Sequence, residues 1–291
     1  MNPIHFILRT YPGYNNAKAL AAFPTKKEII NANILSVIKC IRRCDYLTII
    51  VDSPTQEYLQ QIKELIGDNL VSRCVVLPSL PPYGNSSSFK RSLSIALNSD
   101  YENIFFCEDD YLLHDKLLDE LHVFLLQYQN ADFCFPFTHP SYSTLLIHVC
   151  YNYLKTQNLR VNKEFSTATP RLSGCLTFWA RKSSILLYRD AFELYANSML
   201  GDHNMWKSIT VPTLAALSSG IEQRYKVYQY VTQTMPVILT NIFARKRAKV
   251  YSLNKNLGIH LANDCIPVSL DYLQSFKNAD SFVDSYARLV P

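Results

Sequence analysis

The sequence predicts an α/β protein with a mostly parallel mixed sheet flanked by helices and an irregular C-terminal extension. Three observations predict it. Apolar runs of strand length recur at 4–9, 46–52, 71–77 and 103–107. Between them lie segments whose apolar residues return every three to four positions, the period of a helix with one buried face. Capping residues and Gly or Pro punctuate the joints. Strands separated by helices in this rhythm cross over right-handedly and pair in parallel. With 291 residues, 48% hydrophobic and 18% charged, the chain can bury a core. Disordered, collagen-like and fibrous classes are excluded.

Each element has its own reason. IHFILR at 4–9 reads as the first strand and TYPGYNN as the turn that ends it. Thr25 and Glu28 form a capping box before Ile30, Ile34, Val37 and Ile41, an apolar face at helical spacing. YLTIIVD at 46–52 is a buried strand. Ser53 is expected to cap the next helix, with Pro54 at its first position, Gln56 closing the box and Gly67 ending it. VSRCVVL at 71–77 is the third strand, PSLPPYGN a loop, and Phe89, Leu93 and Leu97 stripe a third helix. NIFFC at 103–107 is strand four. An amphipathic helix over 114–128 and a strand at 131–137 follow. Residues 138–172, rich in Ser, Thr, Asn and Tyr, read as an insertion or lid with one helix near 144–155. LTFWAR at 176–181 is strand-like, 182–196 helical and 199–209 polar-tipped; beyond 220 no order is legible. The expected organisation is a main domain over 1–220 and an extension over 221–291 packed on it.

The net charge is +5, 29 basic against 24 acidic residues, far below that of a nucleic-acid coat, and no nucleic-acid partner is expected. No apolar run approaches the roughly 20 residues that cross a bilayer. The first residues lack a cationic segment followed by a long apolar one, so a cytoplasmic location is expected. Eight cysteines are too sparse for a disulfide framework. Cys40 and Cys44 lie close together without nearby histidines, so reduced, packed thiols are expected rather than structural zinc.

In open parallel sheets, ligands gather at the carboxyl ends of the strands. Arg9 and Thr10, Asp52, and the triplet Glu108-Asp109-Asp110 all stand at such ends. Three adjacent carboxylates repel one another, and oxygen ligands of this kind suit magnesium or manganese. The plainer reading is an acidic turn in which Asp109 or Asp110 caps the next helix. Asp52 either accepts hydrogen bonds from a base or ribose or helps turn the chain. Arg9 can meet a phosphate bidentately or form a salt bridge. Asp202, beside His203 in LGDHNMW, is a candidate general base or a helix cap. His260 is a candidate metal ligand or an ordinary structural histidine. The basic run RKRAK at 245–249 can face a diphosphate, an anionic acceptor, a membrane surface or plain solvent. The chain lacks GxxxxGK[ST], a GxGxxG after its first strand, G-x-S-x-G and HExxH, which speaks against P-loop kinases, dinucleotide oxidoreductases, serine hydrolases and zinc proteases.

NIFFCEDDY resembles the Asp-x-Asp signature, in Glu-Asp-Asp form, of nucleotide-sugar-dependent glycosyltransferases of the A-type (GT-A) fold, family 2-like. FILRTYPG is similar to that family's first strand and nucleotide loop, and YGNSSSFKRSLSIAL to its helix before the signature. SGCLTFWARKSSI resembles its sugar-lining strand, LGDHNMW its catalytic segment and LGIH its tail histidine. The likeness spans about 4–210, with a weaker tail to 260. It implies a single Rossmann-like domain and Mn2+ or Mg2+ on Asp110, joined by His260. It further implies donor contacts from Arg9, Thr10, Asp52, Lys90, Glu108 and Asp109, and Asp202 as the base of an inverting transfer. The diphosphate would be assisted by Arg9 or the 245–249 run. Implied partners are a nucleoside-diphosphate sugar and a glycan or glycolipid acceptor; peripheral membrane contact stays open as one reading of the basic run. A sugar nucleotidyltransferase is similar in its sheet but opens with a Gly-rich loop holding Arg and Lys, whereas RTYPGYNNAK has one Gly. A catalytically inactive glycan- or nucleotide-binding module is the third reading.

Overall fold

A computed structural model describes residues 2–11, 25–52, 54–67, 72–137, 167–171, 174–212, 227–245, 247–255 and 257–260. The 12–24 part of the first loop, Ser53, the expected helix at 144–155 and most of the expected lid lie outside these residues. In chain order the elements are β1 (Ile4–Thr10), α1 (Lys26–Cys40), β2 (Tyr46–Val51), α2 (Gln56–Ile66), β3 (Cys74–Pro78), α3 (Asn85–Leu97) and β4 (Asn103–Glu108). Then come β5 (Tyr111–Leu113), α4 (Leu117–Gln127), β6 (Phe133–Phe135), β7 (Ala168–Pro170) and β8 (Phe178–Arg181). Helices α5 (Lys182–Leu187), α6 (Arg189–Ala196) and α7 (Asp202–Thr210) follow. A helical stretch from Val227 passes through a π turn at Tyr230–Thr234 into α8 (Met235–Phe243), before β9 (Val250–Leu253) and β10 (Gly258–His260).

The main sheet has eight strands in the order β3-β2-β1-β4-β8-β6-β9-β7. The ladders β3-β2, β2-β1, β1-β4 and β6-β9 are parallel, while β8 opposes both its neighbours and β7 opposes β9. The α/β class and mixed, mostly parallel sheet are therefore as expected. The extension beyond 220 supplies β9 to this sheet, and β10 pairs with β5 in a second, two-stranded one.

Alternation along the strands builds three layers. Ile4, Phe6 and Leu8 of β1 and Phe105 and Cys107 of β4 join Ile30, Ile34 and Val37 of α1, with α2 and α4 on the same side. Ile7, Ile104 and Phe106 face the other way onto Phe89 and Leu93 of α3, Phe192 of α6 and Trp206 of α7. A strand buried on both faces reads as a continuous apolar run, which is why β1, β2 and β4 were legible.

The Thr25–Glu28 capping box forms as expected. The second helix starts two residues later than expected: Thr55, whose side chain accepts from the Tyr58 N–H, is its cap. The expected single helix over 182–196 is two, α5 and α6, parted at Tyr188, whose backbone leaves the helical region (φ −110°, ψ 19°). Strand β6 keeps three of the seven residues expected at 131–137. Strands β5, β7, β9 and β10 were not anticipated; at three or four residues each they carry no periodicity of their own and exist through their partners.

Candidate functional site

The strand order reverses between β1 and β4, since α1 carries the chain from β1 one way and α3 carries it back to the other side. At such a reversal the crossover connections diverge and leave a crevice at the carboxyl edge. A cavity of about 550 Å³ lies there, walled by the ends of β1, β2 and β4, the first turn of α1 and the start of α3.

The register brings Arg9 and Glu108 together. They are paired neighbours across β1 and β4 and share one face of the sheet. Arg9, 5% exposed, donates from Nη2 to Glu108 Oε1 at 3.0 Å. Its Nη1 donates to the Oδ1 and backbone carbonyl of Asn85 at 2.6 and 3.2 Å, and the guanidinium lies 5.2 Å from the centre of the Phe89 ring. Arg9 thus ties the first turn of α3 to β4. The Glu108 N–H donates to Thr177 Oγ1 at 3.0 Å, fixing the strand end from the β8 side.

Beyond Glu108 the chain leaves the strand, and the next two acids point elsewhere. Asp109 accepts from Lys26 Nζ at 2.8 Å and from the Tyr11 N–H at 2.6 Å. Asp110 Oδ2 lies 3.1 Å from His260 Nε2. The β10–β5 ladder sets His260 opposite Tyr111, on whose ring it stacks at 4.4 Å with planes 3° apart. Asn33 of α1 pins the turn by donating to the carbonyls of Glu108 and Tyr111.

Glu108 and Asp109 thus each have a cationic partner and Asp110 an imidazole, and the expected repulsion among the acids persists, since the charge of Asp110 raises both Glu108 and Asp109. Burial is the main force raising Glu108, to about 7; Arg9 opposes it, while the charges of Asp110 and Asp202 add to it. Burial also raises Asp109 despite Lys26. Burial pushes Asp110 up, but the hydrogen bond and charge of His260 outweigh it and hold its pKa below the usual carboxylate range. Lys26 is drawn down by burial and up, more strongly, by Asp109, Asp110 and Glu108.

Arg9, Thr10, Asp52, Glu108, Asp109 and Asp110 line the cavity together. Asp52 Oδ2 accepts the Gly84 N–H at 2.7 Å, so this carboxylate fastens the loop before α3. Gly84 has φ 125°, a left-handed backbone that favours glycine. Lys90 is placed elsewhere: one position past the inward Phe89, it turns about 100° to the exposed side of α3 and lines a separate groove against α6. The described part of the 245–249 run is also away from the cavity. It precedes β9, and the register Val250–Phe133–Ala180–Ile104–His5 sets that strand start at the amino end of the sheet, opposite Arg9.

Asp202 is the exposed first residue of α7, and its Oδ1 accepts the His203 N–H at 2.6 Å. Trp206, one turn on, is buried and donates from Nε1 to the Cys175 carbonyl at 3.1 Å, which anchors α7 beside β8. The charge of Asp202 raises Glu108, Cys175 and Tyr195, but Asp202 is not among the residues that line the cavity.

Sequence reasoning missed Lys26 and Asn85. Lys26 had a signal: a cation at the first position of a capped helix opposes the helix dipole, which is tolerated when a carboxylate stands opposite. Asn85 had none, since its partner is 76 residues away.

Among the described residues no group of three His, Cys, Asp or Glu side chains forms a ready metal cage. The Asp110–His260 pair nevertheless fits a divalent cation that takes its remaining ligands from phosphate oxygens and water, the habit of magnesium and its relatives at substrate phosphates. Asp110 keeps 32% of its side chain exposed, so the pair opens to solvent.

No protein-family model matches the chain, and no curated protein sequence matches it. Among solved structures it is similar to a protein of Desulfovibrio desulfuricans G20 named as a nucleotide-diphospho-sugar transferase: 11% identity, 98% of this chain and 99% of that one covered, TM-score 0.47. It is also similar to S. aureus TarS 1-349 in complex with UDP-GlcNAc, with 13% identity, 96% and 66% covered and a TM-score of 0.45. The third is glucosyl-3-phosphoglycerate synthase from Mycobacterium tuberculosis with Mn2+, UDP and glucosyl-3-phosphoglycerate: 13% identity, 98% and 80% covered, TM-score 0.43. Against a longer TarS chain, 14% identical with a TM-score of 0.41, 71% of this chain is covered and it spans 33% of that one. These likenesses concern the fold.

Proposed function

We propose that the protein transfers a sugar from a nucleoside-diphosphate donor to a hydroxyl of a glycan or glycolipid acceptor, with Mn2+ or Mg2+ held by Asp110 and His260. One observation carries this reading. At the switch point of a parallel sheet, two of three adjacent acids are neutralised by buried or half-buried cations, and the third stands beside an imidazole at the solvent side of the cleft.

The division of labour follows from that arrangement. Arg9 and Lys26 keep Glu108 and Asp109 in place. Thr10, Asp52 and Gly84 form the inner wall, where the base and ribose would lie. When bound, the metal supplies positive charge against the departing diphosphate. Asp202 accepts the proton of the attacking hydroxyl, which adds to the anomeric carbon opposite the diphosphate and inverts its configuration.

Incubation with a panel of nucleoside-diphosphate sugars, with manganese or with chelator, tests the reading. Metal-stimulated release of nucleoside diphosphate supports it, and the anomeric configuration of the product, read by NMR, tests Asp202 as base. Pyrophosphate release from a nucleoside triphosphate and a sugar phosphate replaces it with nucleotidyl transfer. No turnover with any donor leaves a binding module.

A further inference from the structure

Outside the cleft, the helical stretch ending in α8 has two faces of unlike chemistry. Tyr230, Thr234, Ile238 and Asn241 are buried, and Asn241 Nδ2 donates to the Ser208 carbonyl at 3.1 Å, which seats α8 on α7. On the outer side Tyr228, Val231, Leu239 and Phe243 are exposed by 79%, 57%, 39% and 80%, with half-buried Met235 between them. Steps of three, four, four and four residues set these five in one stripe. A soluble helix ordinarily turns such a stripe inward, because each large apolar side chain left in water forgoes on the order of 1.5–3 kcal/mol of burial.

The charge along this part of the chain is one-sided. From Gln223 to Asn263 the chain contains no Asp or Glu, while it carries seven Lys and Arg. Arg245, Arg247 and Lys249 are exposed immediately after α8. Arg245 has φ 51°, so the chain turns at the helix end, and Arg247 Nη1 donates to the Asn241 carbonyl at 3.3 Å, which holds this basic segment against the end of α8. An exposed apolar stripe bordered by cations complements an anionic lipid surface, where apolar side chains enter the headgroup boundary and basic ones meet lipid phosphates and carboxylates.

We propose that this face, the outer side of α8 with Arg245, Arg247 and Lys249, docks the protein on anionic bilayers. No described helix is long and apolar enough to cross a membrane, so the contact is peripheral. The proposal does not rest on the transferase reading, since the basic residues lie at the opposite edge of the sheet from the cleft.

Co-sedimentation of the full chain tests it, using vesicles of equal parts phosphatidylserine and phosphatidylcholine against phosphatidylcholine alone. Binding is expected to the mixed vesicles, to weaken with added salt, and to be lost in the Val231→Glu/Phe243→Glu double variant. Arg245→Gln with Lys249→Gln should lower the partition coefficient about 25-fold, from about fivefold per basic residue at a membrane surface. All four positions are exposed, so circular dichroism and thermal midpoint should match the parent and show that the variants are folded. Failure of the parent chain to bind mixed vesicles overturns the proposal, as does undiminished binding by the double-glutamate variant. Self-association abolished by Phe243→Glu, or retention on an oligonucleotide, in place of vesicle binding assigns the face to another occupant and equally overturns it.

Discussion

His5 makes a sharp test of how β1 is held. Its ring is 5% exposed, edge-on to Tyr46 at 5.1 Å, with Nδ1 2.8 Å from Ser99 Oγ and Nε2 2.8 Å from Thr48 Oγ1. Both hydroxyls can rotate to accept, so hydrogen bonding does not forbid a protonated ring; burial does, and it lowers the pKa from 6.5 to about 4. Because the folded pKa lies below the unfolded one, the unfolded chain binds the extra proton between these values. The stability is complete above 6.5 and falls as the pH drops towards 4. Each pH unit inside that window removes up to about 1.4 kcal/mol, so the whole span amounts to about 3 kcal/mol. Urea denaturation at closely spaced pH values, on the parent chain and on His5→Gln, isolates this contribution from the carboxylates that titrate alongside. The glutamine variant should be the less pH-dependent protein between 4 and 6.5, and the two curves should converge in slope above 7. Parallel curves throughout, or an NMR titration placing the ring near 6.5, would falsify burial as the cause.

Other outcomes follow from single contacts. Asp110→Ala should abolish metal-dependent donor binding in calorimetry while circular dichroism stays unchanged; undiminished affinity would remove Asp110 from the metal. Asp202→Asn should bind donor normally yet lose most transfer in a product assay, and near-normal turnover would place the base elsewhere. Arg9→Lys keeps the charge but cannot reach Asn85 and Glu108 together; losing one charge-assisted bond should cost about 1.5–3 kcal/mol, read from the denaturant midpoint. Gly174→Ala would put a Cβ 1.9 Å from Phe135 Cζ, so overpacking of about 1–3 kcal/mol is expected by the same measurement.

The division between what the chain order reveals and what folding adds is physical. β1, β2 and β4 were readable because burial on both faces demands an unbroken apolar run, and α1 because Thr25 and Glu28 satisfy its first N–H groups locally. The carboxyl-edge rule then pointed to Arg9, Asp52 and the acidic triplet without coordinates, since it needs only the place along the chain where each parallel strand ends. What each acid does there was decided elsewhere in the chain. Glu108 meets Arg9 through strand register, Asp109 meets Lys26 across 83 residues, and Asp110 meets His260 across 150 through a ladder of three residue pairs too short to carry a pattern. Local sequence encodes local satisfaction of backbone and burial. Whether a carboxylate stands bare, salt-bridged or beside an imidazole depends on groups that only the packed sheet brings within 3 Å or so, which no spacing along the chain expresses.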